Sequence, residues 1–209
     1  MNKKGILTII SGFSGAGKGT LVKELVKKYD YKLSISATTR SPRQGEEHGR
    51  EYFFLTRDEF ESMIEDNQLL EWAEYVGNYY GTPKAYVEEQ LELGSHVILE
   101  IEIQGALKVK EQCPDALLLF VTPPSAQVLK ERLIGRGTEN MDTINKRLSR
   151  ACEEALYMPD YDYIIVNDEL SECVEETNAI IENERNRTER RQDFIQLITE
   201  ELKVFQEGE

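Results

Sequence analysis

The chain has 209 residues, 40% of them hydrophobic, which is enough for one sizeable core carrying smaller inserted lobes. Its 39 acidic against 25 basic residues give a formal charge of −14, which argues against a nucleic-acid partner but not against small phosphorylated ligands, since those respond to local cations. The opening MNKKGILTII lacks the length of a secretory apolar region and any cleavage site after it, and no later run approaches the ~20 apolar residues of a membrane helix, so a soluble, cytoplasmic protein with no membrane partner is expected. Cys113, Cys152 and Cys173 show no CxxC spacing and read as buried or half-buried free thiols rather than a disulfide framework or a zinc site. Nothing in the sequence fixes an oligomeric state.

In chain order, short continuous apolar runs fall at 6–10, 97–103, 117–121 and 164–166, with helical periodicity over 21–26. Runs apolar on both faces suit parallel strands covered by helices, so the fold class is α/β, a doubly wound parallel sheet. Between 36 and 95 the character turns polar, aromatic and turn-rich, predicting an inserted mixed α+β lobe whose candidate strands are LLEWAEY and NYYGT. Thr56 and Glu59 have the spacing of a capping box opening a helix through 62–64. Thr82 and Pro83 read as N-cap and N1 of another helix, ending at Gly94.

From 125 to 157 a helix bearing Lys130, Arg132 and Leu133 runs into GRGTEN and then TINKRLSRACEEAL, an arginine-dense helical lid with a glycine hinge. NERNRTERR, at 183–191, reads as the solvated face of a C-terminal helix continued by Phe194, Ile195, Ile198 and Leu202. The expected division is therefore a core of 1–35, 96–124 and 158–209, an acceptor lobe of 36–95, and a lid of 125–157.

The segment Gly12-Phe13-Ser14-Gly15-Ala16-Gly17-Lys18-Gly19-Thr20 follows a buried strand and opens a helix, the context that a P-loop demands. Glycines let successive backbone N–H groups turn inward, the helix N-terminus adds partial positive charge, and Lys18 reaches the β and γ phosphates of a nucleoside triphosphate. The competing reading is a merely flexible strand-to-helix turn. Gly19 stands where many P-loops place the hydroxyl that touches Mg²⁺. Thr20 is therefore assigned to a phosphate, and Mg²⁺ is expected to be held by phosphates and water with no direct protein ligand.

A second anion site is written in Thr38-Thr39-Arg40-Ser41-Pro42-Arg43-Gln44-Gly45-Glu46, where two arginines flank a proline-stiffened turn in an otherwise acidic chain. Arginine's planar fork suits phosphate oxygens, although a solvated loop has the same composition.

ATTRSPRQGE, EWAEYVGNYYGT, LEIEIQGA, GRGTE and INKRL, in this order, resemble the successive signatures of the guanylate kinase family over nearly the whole chain. The resemblance implies a P-loop NTPase-type fold and transfer of the γ-phosphoryl group of ATP to GMP or dGMP, with Mg²⁺. Carried over by position, it implies that Arg40, Arg43, Tyr52 and Tyr80 hold the GMP phosphate, with Glu46 in the same turn. Ser36, Glu71 and Thr82 face guanine, and Glu102 contacts GMP. Arg132, Arg136 and Arg147 reach the triphosphate and the transferred group, Asn167 helps hold adenine, and Glu100 meets Mg²⁺ through water. Lys18, Arg40, Arg136 and Arg147 are then the catalytic residues.

The residues by themselves also allow blander roles. Periodicity favours Glu71 on the solvent side of its strand, Thr82 suits an N-cap, Asn167 suits a turn, and Arg150 suits a surface pair with Glu131 or Glu153. Glu100 and Glu102 read as two residues on one face of a strand near its C-terminal end. Neither His48 nor His96 neighbours the motifs, and none is needed as a general base. Two other functions share much of the pattern: a kinase for a different nucleoside monophosphate, and a non-catalytic guanylate-kinase-like interaction module.

Overall fold

A computed structural model describes residues 4–75, 77–135, 137 and 140–205. The elements run β1 (Leu7–Gly12), α1 (Lys18–Lys28), β2 (Tyr31–Leu33), β3 (Ala37–Thr38), β4 (Phe53–Phe54), α2 (Arg57–Glu65), β5 (Leu69–Tyr75) and β6 (Asn78–Pro83). They continue with α3 (Lys84–Glu92), β7 (His96–Glu100), α4 (Ile103–Gln112), β8 (Leu117–Thr122), α5 (Ala126–Gly135), α6 (Met141–Glu154), β9 (Tyr163–Val166), α7 (Leu170–Glu184) and α8 (Gln192–Lys203).

Five strands form one sheet in the order β2-β7-β1-β8-β9, and every pairing in it is parallel. β1 is buried along its whole length and β8 almost so, which is why both read as unbroken apolar runs rather than alternating ones. Leu21, Val22 and Leu25 of α1 and Ile103, Ala106 and Val109 of α4 supply buried faces to the core, and Phe13 meets Phe120 edge to face at 4.9 Å. Gly12 passes so close to β8 that an added Cβ would stand 2.1 Å from the Val121 carbonyl oxygen, so the strand can turn into the loop there only as glycine.

A second sheet, β4-β3-β6-β5, is mixed: β3 pairs parallel with β4 and antiparallel with β6, and β6 pairs antiparallel with β5. Its small core is Ala37, Phe60 and Leu69, with Phe60 stacked on Tyr79 at 5.2 Å. Phe60 comes from α2, whose Thr56–Glu59 capping box is formed in both directions.

Four expectations need correction. α3 is capped by Pro83 and starts at Lys84, because β6 continues through Pro83 and Thr82 uses its hydroxyl elsewhere. β7 ends at Glu100, and Glu102 is the N-cap of α4, so the two glutamates do not share a strand face. The apolar run 97–103 crosses from strand to helix, a change of dihedral that periodicity over a short run does not register. The 183–191 segment is not a continuous helix: α7 ends at Glu184, a short 3-10 turn spans Thr188–Arg191, and α8 follows. Cys152 is exposed, because α6 buries Ile144 and Ala151 and turns Cys152 away, whereas Cys113 is half-buried and Cys173 buried.

In α8, Phe194, Ile195, Leu197 and Ile198 remain exposed. Among the described residues no helix is long and apolar enough to cross a membrane.

Candidate active site

The loop between β1 and α1 wraps the helix N-terminus. Gly17 is the N-cap in a left-handed conformation, φ +93°, and α1 has neither a side-chain cap nor an acidic residue in its first turn, so its free N–H groups and positive dipole end stay available to an anion. Lys18 Nζ donates to the carbonyl oxygens of Gly12 at 2.7 Å and Phe13 at 3.0 Å, which holds the ammonium across the loop.

The loop is braced from beneath. Asn167, at the end of β9, donates from Nδ2 to the Ala16 carbonyl oxygen at 2.8 Å, and Arg132 of α5 donates to the Asn167 carbonyl oxygen at 2.9 Å. A Cβ on Gly17 would stand 2.4 Å from that same Nδ2. Asn167 is thus a buried support of the loop backbone. From α6, Arg147 donates to the hydroxyl of Ser14.

Glu100 closes the end of β7 beside the loop, both of its carboxylate oxygens 3.6 Å from the place a Gly19 Cβ would occupy. Loss of hydration there pushes its pKa up, while Lys18 and Lys23 pull it down. Glu100 and the exposed Thr20 are hard oxygen donors at the cradle, which suits a Mg²⁺ that keeps most of its water. Among the described residues no group of three or more His, Cys, Asp or Glu side chains comes close enough to hold a metal ion.

On the second sheet, Arg40 Nη2 donates to both oxygens of Glu46 at 3.1 and 3.0 Å, and its guanidinium lies over the ring of Tyr52 at 5.4 Å. Tyr52 in turn meets Tyr80 at 6.1 Å. Glu46 also accepts from the Arg43 backbone N–H at 2.7 Å, and this bond, ahead of the Arg40 contact, holds its carboxyl below the usual range. Glu46 therefore fixes the turn and aims Arg40, while the Arg43 side chain lies exposed on the rim. Ser36 is half-buried just before β3, its carbonyl accepting from Phe53 N–H at 2.9 Å.

Glu71 is half-buried rather than solvated, and Thr82, itself 1% exposed, donates its hydroxyl hydrogen to Glu71 Oε1 at 2.8 Å. The bulge between Leu69 and Trp72 breaks the alternation from which a solvent-facing Glu71 was expected. Burial raises the Glu71 pKa, Thr82 and Lys108 oppose the rise, and the charge of Glu102 adds to it. Arg136 lies outside the described residues.

The structure thus gathers the sequence-derived residues into three groups: Ser14, Lys18, Arg132, Arg147 and Asn167 at the loop, Arg40, Glu46, Tyr52 and Tyr80 on the second sheet, and Glu71 with Thr82. Sequence reasoning missed Glu154, which pairs with Arg150 at 3.0 Å while Arg150 also reaches Glu102 at 2.9 Å. The four-residue spacing of Arg150 and Glu154 on one helix was the available signal.

Residues 4–184 match the family model described as guanylate kinase. A guanylate kinase from Streptococcus thermophilus is 52% identical over 192 residues, covering 91% of this chain and 92% of the relative. One from Caldanaerobacter subterraneus subsp. tengcongensis is 50% identical over 202 residues, covering 96% and 98%. The crystal structure of guanylate kinase from Anaplasma phagocytophilum superposes with a TM-score of 0.70 at 30% identity and 90% coverage of both chains. Matches of this identity span both the braced loop and the second sheet, and they show that the chain belongs to the guanylate kinase family of nucleoside monophosphate kinases.

Proposed function

We propose that the protein transfers the γ-phosphoryl group of ATP to GMP and dGMP, giving ADP and GDP. The observation that carries the choice of guanine is the Thr82–Glu71 bond. It fixes a half-buried carboxylate while leaving it further acceptor capacity, and guanine presents an N1–H and an N2 amino group side by side as donors. Adenine would leave that carboxylate unpaired, and a site built around such a pair rejects the wrong base by up to about 10⁴-fold.

On this reading Arg40, Arg43, Tyr52 and Tyr80 hold the GMP phosphate, Ser36 and Glu102 complete the acceptor site, and 36–95 is the acceptor lobe. The Gly12–Thr20 loop holds the triphosphate. Residues 125–157 act as the lid, which brings Arg132, Arg136 and Arg147 to the transferred group.

The second pKa of a phosphate monoester is about 6, so GMP arrives mostly as the dianion and needs no general base. The chain's contribution is to align two polyanions, neutralise their repulsion with Lys18 and the arginines, and exclude water. Mg²⁺, held by phosphates and through water by Glu100, would supply further neutralisation of the phosphate charge. We place this activity in the cytoplasm.

The test is a coupled assay of ADP formation with ATP and Mg²⁺ against GMP, dGMP, AMP, CMP and UMP. GMP and dGMP turn over far ahead of the others; equal turnover of AMP would sink the assignment.

A further inference from the structure

Three carboxylates meet where the acceptor side of the molecule faces α6. Glu71 sits in the second sheet, Glu102 at the start of α4, and Glu154 at the end of α6. The charge of Glu102 raises the pKa of both the others, so Glu102 lies within the field of each. Glu102 is the N-cap of α4 but makes no side-chain cap bond, which leaves its carboxylate turned toward α6. Left alone, like charges at this seam would push α6 away from the core.

One cation bonds two of them directly, while Lys108 acts on Glu71 and Lys18 on Glu154 from a distance. Arg150 donates from Nη2 to Glu102 Oε2 at 2.9 Å and from Nε to Glu154 Oε1 at 3.0 Å. It stands three residues beyond Arg147, on the same face of α6, and Arg147 reaches Ser14 in the phosphate loop. Glu154 is well covered, with 17% of its side chain exposed, so one end of the bridge is fixed against protein. The other end crosses to Glu102 at the start of α4, where both side chains are more than half exposed.

We propose that Arg150 is a positioning residue for phosphoryl transfer. By bridging Glu102 and Glu154 it seats α6 against the start of α4 and so keeps Arg147 directed at the phosphate loop. The proposal rests on the ATP-to-GMP reading above for its kinetic consequence but not for its structural one. Arg150 touches neither the phosphate loop nor the Arg40 cluster in the contacts described, so its effect runs through Arg147. The fork of arginine matters because one guanidinium serves two carboxylates in different directions, which the single ammonium of lysine does less well.

The experiment has two arms. Spin labels at Asn145→Cys on α6 and Lys27→Cys on α1, in a Cys113→Ser, Cys152→Ser background, report the distance between α6 and the core by double electron–electron resonance without nucleotide. In this full-length protein Arg150→Ala broadens the distance distribution. Steady-state assays with GMP and ATP then show kcat lowered about three- to tenfold, the range expected for losing two partly screened ion pairs, with unchanged Tm. Arg150→Lys recovers part of the loss. In a double-mutant cycle, Glu102→Gln costs at least about twofold less in the Arg150→Ala background than in the parent.

An unchanged distance distribution in Arg150→Ala, or effects of Glu102→Gln and Arg150→Ala that simply multiply, overturns the proposal. Should the parent form no GDP from GMP and ATP, the reaction assignment falls instead, and the distance arm still decides the role of Arg150.

Discussion

Thr82 donates its hydroxyl hydrogen to Glu71 Oε1 at 2.8 Å between adjacent strands of the second sheet, and Thr82 is almost fully enclosed. The bond orients a carboxylate whose pKa is already raised by burial, and removing it leaves that carboxylate less fixed and easier to protonate. Thr82→Val keeps the shape and deletes the donor. A hydrogen bond to a charged group contributes about 1.5 kcal/mol or more, so the KM for GMP rises about tenfold while kcat changes little. Glu71→Ala goes further, raising the KM and relaxing the choice of base. Steady-state kinetics across the nucleotide panel check both, and an unaltered GMP KM in Glu71→Ala refutes the assignment.

Gly105, in the first turn of α4, packs against the other side of the same carboxylate: an added Cβ would lie 3.2 Å from Glu71 Oε2. Alanine in a helix is favoured over glycine by up to about 1 kcal/mol, so Gly105→Ala leaves the fold as stable as before or more so. The new methyl nonetheless crowds Glu71. The expected outcome is an unchanged or higher Tm with a GMP KM raised about fivefold, because the crowding falls on the base-reading oxygen. A variant that gains stability with no change in KM would show that Glu71 moves aside freely.

How far such details could be read from sequence depended on whether a single local pattern carried them. The phosphate loop was legible because strand, glycines, lysine and helix lie within a few consecutive residues, and the Thr56–Glu59 capping box because its whole mechanism spans four positions. The contact of Asn167 with Ala16 joins residues 151 apart in the chain, and no local spacing announces it. Glu71 misled by alternation because a bulge shifted its face, and Glu102 misled because an apolar run hid the junction of β7 with α4. Arg150 was visible as a cation on the right face of a helix, but its partner across the seam, Glu102, lies 48 residues away in the chain and no local spacing points to it.

Asn167 supports the phosphate loop as a donor, so the replacement that separates shape from chemistry is Asn167→Asp. It sets a carboxylate oxygen against the Ala16 carbonyl oxygen, where the structure has an N–H, and adds negative charge beneath the site proposed for a triphosphate. Losing a buried partner costs about 1–3 kcal/mol of stability, read by chemical denaturation. The KM for ATP rises at least about tenfold, while the KM for GMP moves much less, because the damage is confined to the loop. Equal effects on the two substrates would place Asn167 outside the donor site.

His96 provides a test of the fold rather than of the chemistry. At the start of β7 it is 5% exposed, and donors approach both ring nitrogens, Ile6 N–H at Nδ1 (3.0 Å) and Arg185 Nε at Nε2 (2.8 Å). A neutral ring can accept from one of the two and a protonated ring from neither, and burial, helped by the Arg185 charge, lowers its pKa from 6.5 to about 4. A folded-state pKa below the unfolded one means that the unfolded chain takes up the proton first. The folded protein is therefore at full advantage above pH 6.5 and loses stability steadily as pH falls toward 4. From these two values the loss at pH 5 is about 2 kcal/mol. His96→Asn retains an acceptor for Ile6 N–H but cannot titrate, so its stability falls less than that of the parent between pH 7 and pH 5. Urea denaturation of both proteins at the two pH values isolates the histidine from the carboxylates they share, and parallel pH dependences would contradict a neutral, buried His96.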